Sequence, residues 1–198
     1  MTYKTLEDGT IQFEMKVEEL KSPLSFEKIR KKSSALKEAI SIFDESGEIH
    51  STFYKMSEVP PYLFSEYENG WVLLKSFLDS NVTPEIENQL EKIDLEKAKD
   101  SYSIIDKGEF EGALVSKLLR GGCYGSPCKS RAKARQVASK LIDAIFPDNN
   151  EEYKEFVVYK FNNEWNEFQR YWTINTWSFI VFDYETSTCW LVCFGSFS

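Results

Sequence analysis

The chain has 198 residues, 42% of them hydrophobic, 28% charged and 15% aromatic. That length fits a single domain over residues 1–198, which buries roughly 70% of its unfolded surface and needs neither disulfide nor metal to fold. The content of 15 Phe, 10 Tyr and 5 Trp excludes disorder, collagen and a coiled-coil rod.

No run approaches the ~20 apolar residues of a membrane helix, so no membrane association is expected. The N-terminal stretch MTYKTLEDGTIQFEMK is polar and has no apolar signal region. The 4 cysteines without a signal therefore predict free thiols in a reducing, cytoplasmic compartment. Lys and Arg number 24 against 32 Asp and Glu, a formal charge of −8. That balance disfavours a general nucleic-acid binder, whose phosphate contacts need a basic surface, and favours a basic protein partner. The charge is uneven. Between Gly112 and Ile142 there is no carboxylate, yet Lys117, Arg120, Lys129, Arg131, Lys133, Arg135 and Lys140 all fall there.

In chain order, residues 10–18 alternate Ile11, Phe13, Met15 and Val17 with polar neighbours and predict an N-terminal strand. After Ser22-Pro23, the residues Phe26, Ile29, Ser33, Leu36, Ile40 and Phe43 follow at helical spacing and predict one helix stopped by Gly47. Ile49 to Met56 alternates weakly as a second strand, ended by Pro60-Pro61. Periodicity leaves the type of Trp71–Leu74 open. Thr83 as N-cap and Pro84 at the first helical position start a helix with Ile86, Leu90 and Ile93 inward. A short helix is expected over Glu109–Arg120, and another from Ser126-Pro127 to about Phe146.

The composition then turns to β-branched and aromatic residues over Tyr153–Phe161, Trp177–Asp183 and Thr188–Phe194. These three segments predict a C-terminal antiparallel meander. The fold class is α+β: an antiparallel sheet, built from that meander and the N-terminal strand, packed on one face against several helices.

Several constellations invite chemistry. Gly121-Gly122-Cys123-Tyr124-Gly125-Ser126-Pro127-Cys128-Lys129-Ser130 is a glycine-rich loop entering a helix, an arrangement suited to an anion through Gly122, Gly125, Ser126, Lys129 and Arg131. It lacks the Gly-Lys-Ser/Thr ending of a phosphate-binding loop and follows a helix rather than a strand, so the bland reading is a helix–helix connection. Cys189 and Cys193, four apart in a strand, stand ~13 Å apart, too far for one zinc, and read as core residues. Cys128, beside a helix start and two cations, is the one thiol with a case for reactivity, and the sole histidine, His50, is distant in sequence. No catalytic residue, metal ligand set or cofactor motif is assigned.

The segment from Asn162 to Trp172 places Glu164, Trp165, Glu167, Phe168, Tyr171 and Trp172 close together. If helical, Trp165, Phe168 and Trp172 share one face, which reads either as core or as a recognition patch. The leading expectation is a non-enzymatic binding protein whose acidic, aromatic surface occludes a basic partner. In composition and architecture, without any matching motif, the chain resembles bacterial immunity and antitoxin proteins. The alternatives are a phosphate- or nucleotide-handling enzyme or sensor on loop 121–130, and a scaffold offering the C-terminal strand, Trp190 to Phe197, as a sheet edge.

Overall fold

The structure, a computed structural model, describes residues 2–5, 11–14, 24–57, 70–120, 125–145, 156–172 and 175–196, the first two stretches as backbone alone. Six strands form one sheet: β3 (Phe26–Ile29), β4 (Glu48–Met56), β5 (Tyr102–Ile105), β6 (Phe156–Phe161), β7 (Trp177–Asp183) and β8 (Thr188–Gly195). Their spatial order is β3-β4-β8-β7-β6-β5, and every neighbouring pair runs antiparallel. A separate two-stranded ladder joins β1 (Thr2–Thr5) to β2 (Ile11–Glu14). The helices are α1 (Ser34–Asp44), α2 (Gly70–Leu78), α3 (Thr83–Leu90), α4 (Leu95–Ser101), α5 (Lys107–Arg120), α6 (Arg131–Ile145) and α7 (Glu167–Tyr171).

The α+β class, the antiparallel sheet and the C-terminal meander β6-β7-β8 hold. The helices, however, cover both faces of the sheet rather than one. On one face α2, α3, α4 and α7 pack over Tyr54, Tyr159, Phe161, Ile180, Phe182 and Leu191. On the other α1, α5 and α6 pack over Phe53, Val158, Phe179, Val181, Trp190 and Val192. The alternation of each strand sends its side chains to both cores in turn, which is why β7 is buried along its whole length. Strands that read as continuous apolar runs are the signature of a sheet covered on two sides.

Three further expectations are corrected. Phe26 and Ile29 lie in β3, not in the helix, which starts after Ser33 caps Leu36 N–H at 3.2 Å. Two apolar residues three apart share a helix face but point to opposite sides of a strand, and here they enter the two different cores. Residues 10–18 pair over Ile11–Glu14 with β1 rather than joining the large sheet, and Met15 and Val17 lie outside the described residues. The C-terminal strand is not an edge: β8 sits between β4 and β7, so its backbone groups are already paired. The open segment Trp71–Leu74 belongs to helix α2.

The second core is knit by aromatic contacts, with the Phe110 ring of α5 edge-on to Phe179 at 5.1 Å. Phe179→Ala and Leu36→Ala are each expected to destabilise the protein by about 2–5 kcal/mol in urea denaturation, the range for large-to-small changes in a core. Losses under ~0.5 kcal/mol at both positions would contradict this packing.

Candidate partner-binding surface

Helix α7 has only five residues and cannot stand alone in water. It is held by buried polar groups. Asn166, its N-cap, accepts from Gln169 N–H at 2.9 Å, and the Asn166 amide donates to Gln169 Oε1 at 3.2 Å. Trp165 Nε1 donates to the buried Ser178 hydroxyl of β7 at 2.7 Å, and the Trp165 ring stacks on Phe161 at 4.7 Å. Asn166 also bridges to Ile93, and the Asp94 and Glu167 N–H groups donate across that junction to the carbonyls of Trp165 and Lys92 at 2.9 and 3.1 Å. The segment is thereby clamped between the sheet and the α3–α4 connection.

This geometry divides the residues expected to form one recognition patch. Trp165 and Phe168, at 0% and 6% exposure, are core and not partner-binding residues. Trp165 precedes the first turn of α7, yet it, Phe168 and the half-buried Trp172 all pack into the same core, which is the core reading of this segment. Glu167 and Tyr171 are exposed, Tyr171 at 66%, while Glu164 and Trp172 are half-buried. Trp172 lies over Gly195, where a Cβ would overlap its indole. The accessible members therefore form a rim rather than a patch.

That rim is continuous with carboxylates that spacing did not single out. Glu91, Glu96 and Asp100 come from the α3–α4 connection and α4, next to Asp94, which Arg170 reaches at 3.4 Å. Among the described residues, Glu91, Glu96, Asp100, Glu164 and Glu167 make no ion pair. Asp100 and Glu164, with Lys97, Asn162, Asn163 and others, line an open polar pocket of about 460 Å³. The signal for this surface was the acidic composition of residues 79–100, visible in sequence but without a helical register to aim it.

The glycine-rich loop takes a different form from the expected one. Helix α6 starts at Arg131, and its cap is Ser130, whose hydroxyl accepts Lys133 N–H at 3.2 Å, rather than Ser126. Cys128 N–H is committed to the Leu118 carbonyl at 2.8 Å, closing the end of α5. Gly125 takes φ +108° and is exposed, as are Ser126, Lys129 and Arg131, while Gly122 lies outside the described residues. Cys128 itself is buried in the α5–α6 core, and burial pushes its thiol up, against the reactive role considered for it.

His50 and Cys128 sit on opposite sides of the sheet, so they form no catalytic pair. The histidine ring packs edge-on against Phe168 at 4.6 Å, within the other core. Its cross-strand neighbour is Cys193, whose thiol burial raises far above its ordinary range. Cys189 and Cys193 are core residues, as their spacing implied. Among the described residues no group of three or more His, Cys, Asp or Glu could hold a metal ion. No described helix is long and apolar enough to cross a membrane.

The two faces of the molecule differ in charge. The outer face of α6 presents Arg131, Lys133, Arg135 and Lys140, and Glu38 of α1 reaches Lys133 at 2.9 Å and Lys140 at 3.9 Å. The carboxylate rim lies across the sheet. A sheet and two helix layers separate the outer surfaces by on the order of 25 Å, beyond the ~8–10 Å over which exposed charges act in physiological salt. Each surface therefore presents its own field.

No family model matches the chain, and no curated protein matches it. Two crystal structures of citrus MAF1 follow its backbone in part. One has a TM-score of 0.48 at 11% identity and covers 84% of this chain and 98% of that one. The other has a TM-score of 0.41 at 12% identity, covering 87% and 84%. A likeness of that degree assigns no role to any residue here.

Two outcomes check these contacts. Ser178→Ala strands the buried Trp165 Nε1 without its acceptor and is expected to cost about 1–3 kcal/mol in equilibrium unfolding. The hydrogen bond and charge of Lys133, helped by Lys140, hold the Glu38 carboxyl below its ordinary range. A depressed carboxylate stabilises the fold above its unfolded pKa and loses that contribution as the pH falls through its folded value. Thermal melts should therefore show Glu38→Gln less stable than wild type near neutrality, with the gap closing below roughly pH 4.

Proposed function

We propose that this chain is a non-enzymatic, cytosolic binding protein that covers a basic protein partner with its acidic rim, in the manner of an immunity protein or antitoxin. The observation that carries the reading is the set of carboxylates Glu91, Glu96, Asp100, Glu164 and Glu167, which make no ion pair among the described residues, with the exposed Tyr171 on the same short helix as Glu167.

Carboxylates of this kind form charge-assisted hydrogen bonds with arginine and lysine, the residues a phosphate-handling partner presents to its own substrate. The partner would be blocked by occupation of those cations, without chemistry. Complementary fields speed the encounter and set its salt dependence. Tyr171 supplies an amphipathic ring of the type enriched at interface anchors. The buried clamp through Ser178, Asn166 and Gln169 supports the surface before binding, which lowers the ordering cost of association.

The alternative, an anion held by loop 121–130, has less to support it. The Cys128 N–H, a donor that a phosphate there would use, is already committed to the Leu118 carbonyl.

The test is photo-crosslinking in the source cells from a photoreactive amino acid placed at Tyr171, followed by mass spectrometry. A single partner with a basic contact surface is expected. Glu164→Lys with Glu167→Lys should then slow its association on the order of tenfold or more at low salt, with the difference shrinking as salt rises. An acidic partner, or association unchanged by the charge reversal, would overturn the reading.

A further inference from the structure

On the opposite side of the sheet from the acidic rim, three cations share one face with no counter-charge among the described residues. Lys117 and Arg120 stand three residues apart in the last turns of α5, so their side chains share one stretch of helix surface. Lys160 comes from β6, where it pairs with Phe179 of β7 and Ser103 of β5. The pairing fixes its direction. Phe179 faces α5 and contacts Phe110 of that helix at 5.1 Å, and Lys160, directly opposite Phe179 in the ladder, shares its face.

Lys117 and Lys160 are both half-buried, and Arg120 is exposed. Among the described residues none of the three has a carboxylate within ion-pair distance. The sequence carries 32 acidic residues, yet none of the described ones is used to neutralise these cations. Burial first, and then the like charges of Arg120 and Lys160, lower the pKa of Lys117. The repulsion is therefore internal to the cluster and is not relieved by a described neighbour.

We propose that Lys117, Arg120 and Lys160 form a binding site for a phosphate-type oxyanion, either free or as the terminal group of a small phosphorylated molecule. The two lysines provide mobile point charges, and the exposed Arg120 guanidinium provides a planar fork. A small anion fits better than a polyanionic strand. The net charge of −8 repels an extended polyphosphate chain over its length, whereas a compact oxyanion meets chiefly the local field of three cations. This site draws on α5 and β6, not on loop 121–130, and does not depend on the acidic rim or its partner.

The experiment is isothermal titration of the full chain with sodium pyrophosphate in phosphate-free buffer at fixed low salt, alongside ATP and a single-stranded DNA dodecamer. The variants are Lys117→Met and Lys160→Met, which keep the apolar stems, and Arg120→Gln at an exposed position, where folding is not at risk. Saturable pyrophosphate binding at one site is expected, weakened on the order of tenfold or more by each variant. ATP binding at the same site, with the same sensitivity to the three substitutions, would assign the anion to a nucleotide. ATP binding weaker than that of pyrophosphate, or indifferent to the three substitutions, would assign it to the free oxyanion. Thermal melts give an independent readout. Pyrophosphate should raise the Tm of wild type and leave that of Arg120→Gln nearly unchanged. No saturable binding, binding indifferent to all three variants, or binding of the dodecamer without pyrophosphate would each overturn the proposal.

Discussion

The structure depends on the burial of β7 and β8 on both faces. These two strands occupy the middle of the six-stranded sheet, and their side chains alternate between two separate cores. Each apolar layer needs its own cover, so helices must lie on both sides. Edge positions fall to the short strands β3 and β5, which keeps the unpaired strand edges small. The chain ends its large sheet in the centre rather than at the rim, and the C-terminal strand is committed to the fold instead of to another chain.

Two-sided coverage also separates charge. Two of the helices over one face, α3 and α4, come from the acidic stretch over residues 79–100, whereas those over the other include the carboxylate-free stretch from Gly112 to Ile142. With a sheet between them, the acidic and basic surfaces do not neutralise one another beyond local pairs such as Glu38 with Lys133. One molecule thus carries two electrostatically distinct faces. The acidic rim suits a cationic protein surface, and the cluster under α5 suits a compact anion. The two proposals stand on different residues and fail separately.

Within the first core a small polar network does what apolar packing alone could not. Ser178 points from β7 into the buried core, where it accepts from Trp165 Nε1 and from the Gln169 amide. Its hydroxyl specifies where the segment around α7 must sit, because any shift would leave buried donors unpaired. The exposed residues Glu167 and Tyr171 inherit their positions from this buried constraint.

The sequence by itself determined the class of the fold, the meander, the presence of helices near Thr83 and over Glu109–Arg120, and the core role of Cys189 and Cys193, although α3 is capped at Val82 rather than Thr83 and ends before Ile93. Those readings rest on periodicity, composition and local capping, which act over a few residues and are written in neighbouring positions. Only the tertiary structure decided which apolar residues face which core. Phe26 and Ile29 fit a helical stripe as well as a strand until β4 pairs with them. Trp165 and Phe168 look like interface aromatics until the sheet covers them. Lys160 interrupts an apolar strand run, yet its meeting with Lys117 and Arg120 exists only once β6 lies beneath α5. Burial and long-range charge depend on residues distant in the chain, and local spacing carries no record of which distant segment arrives.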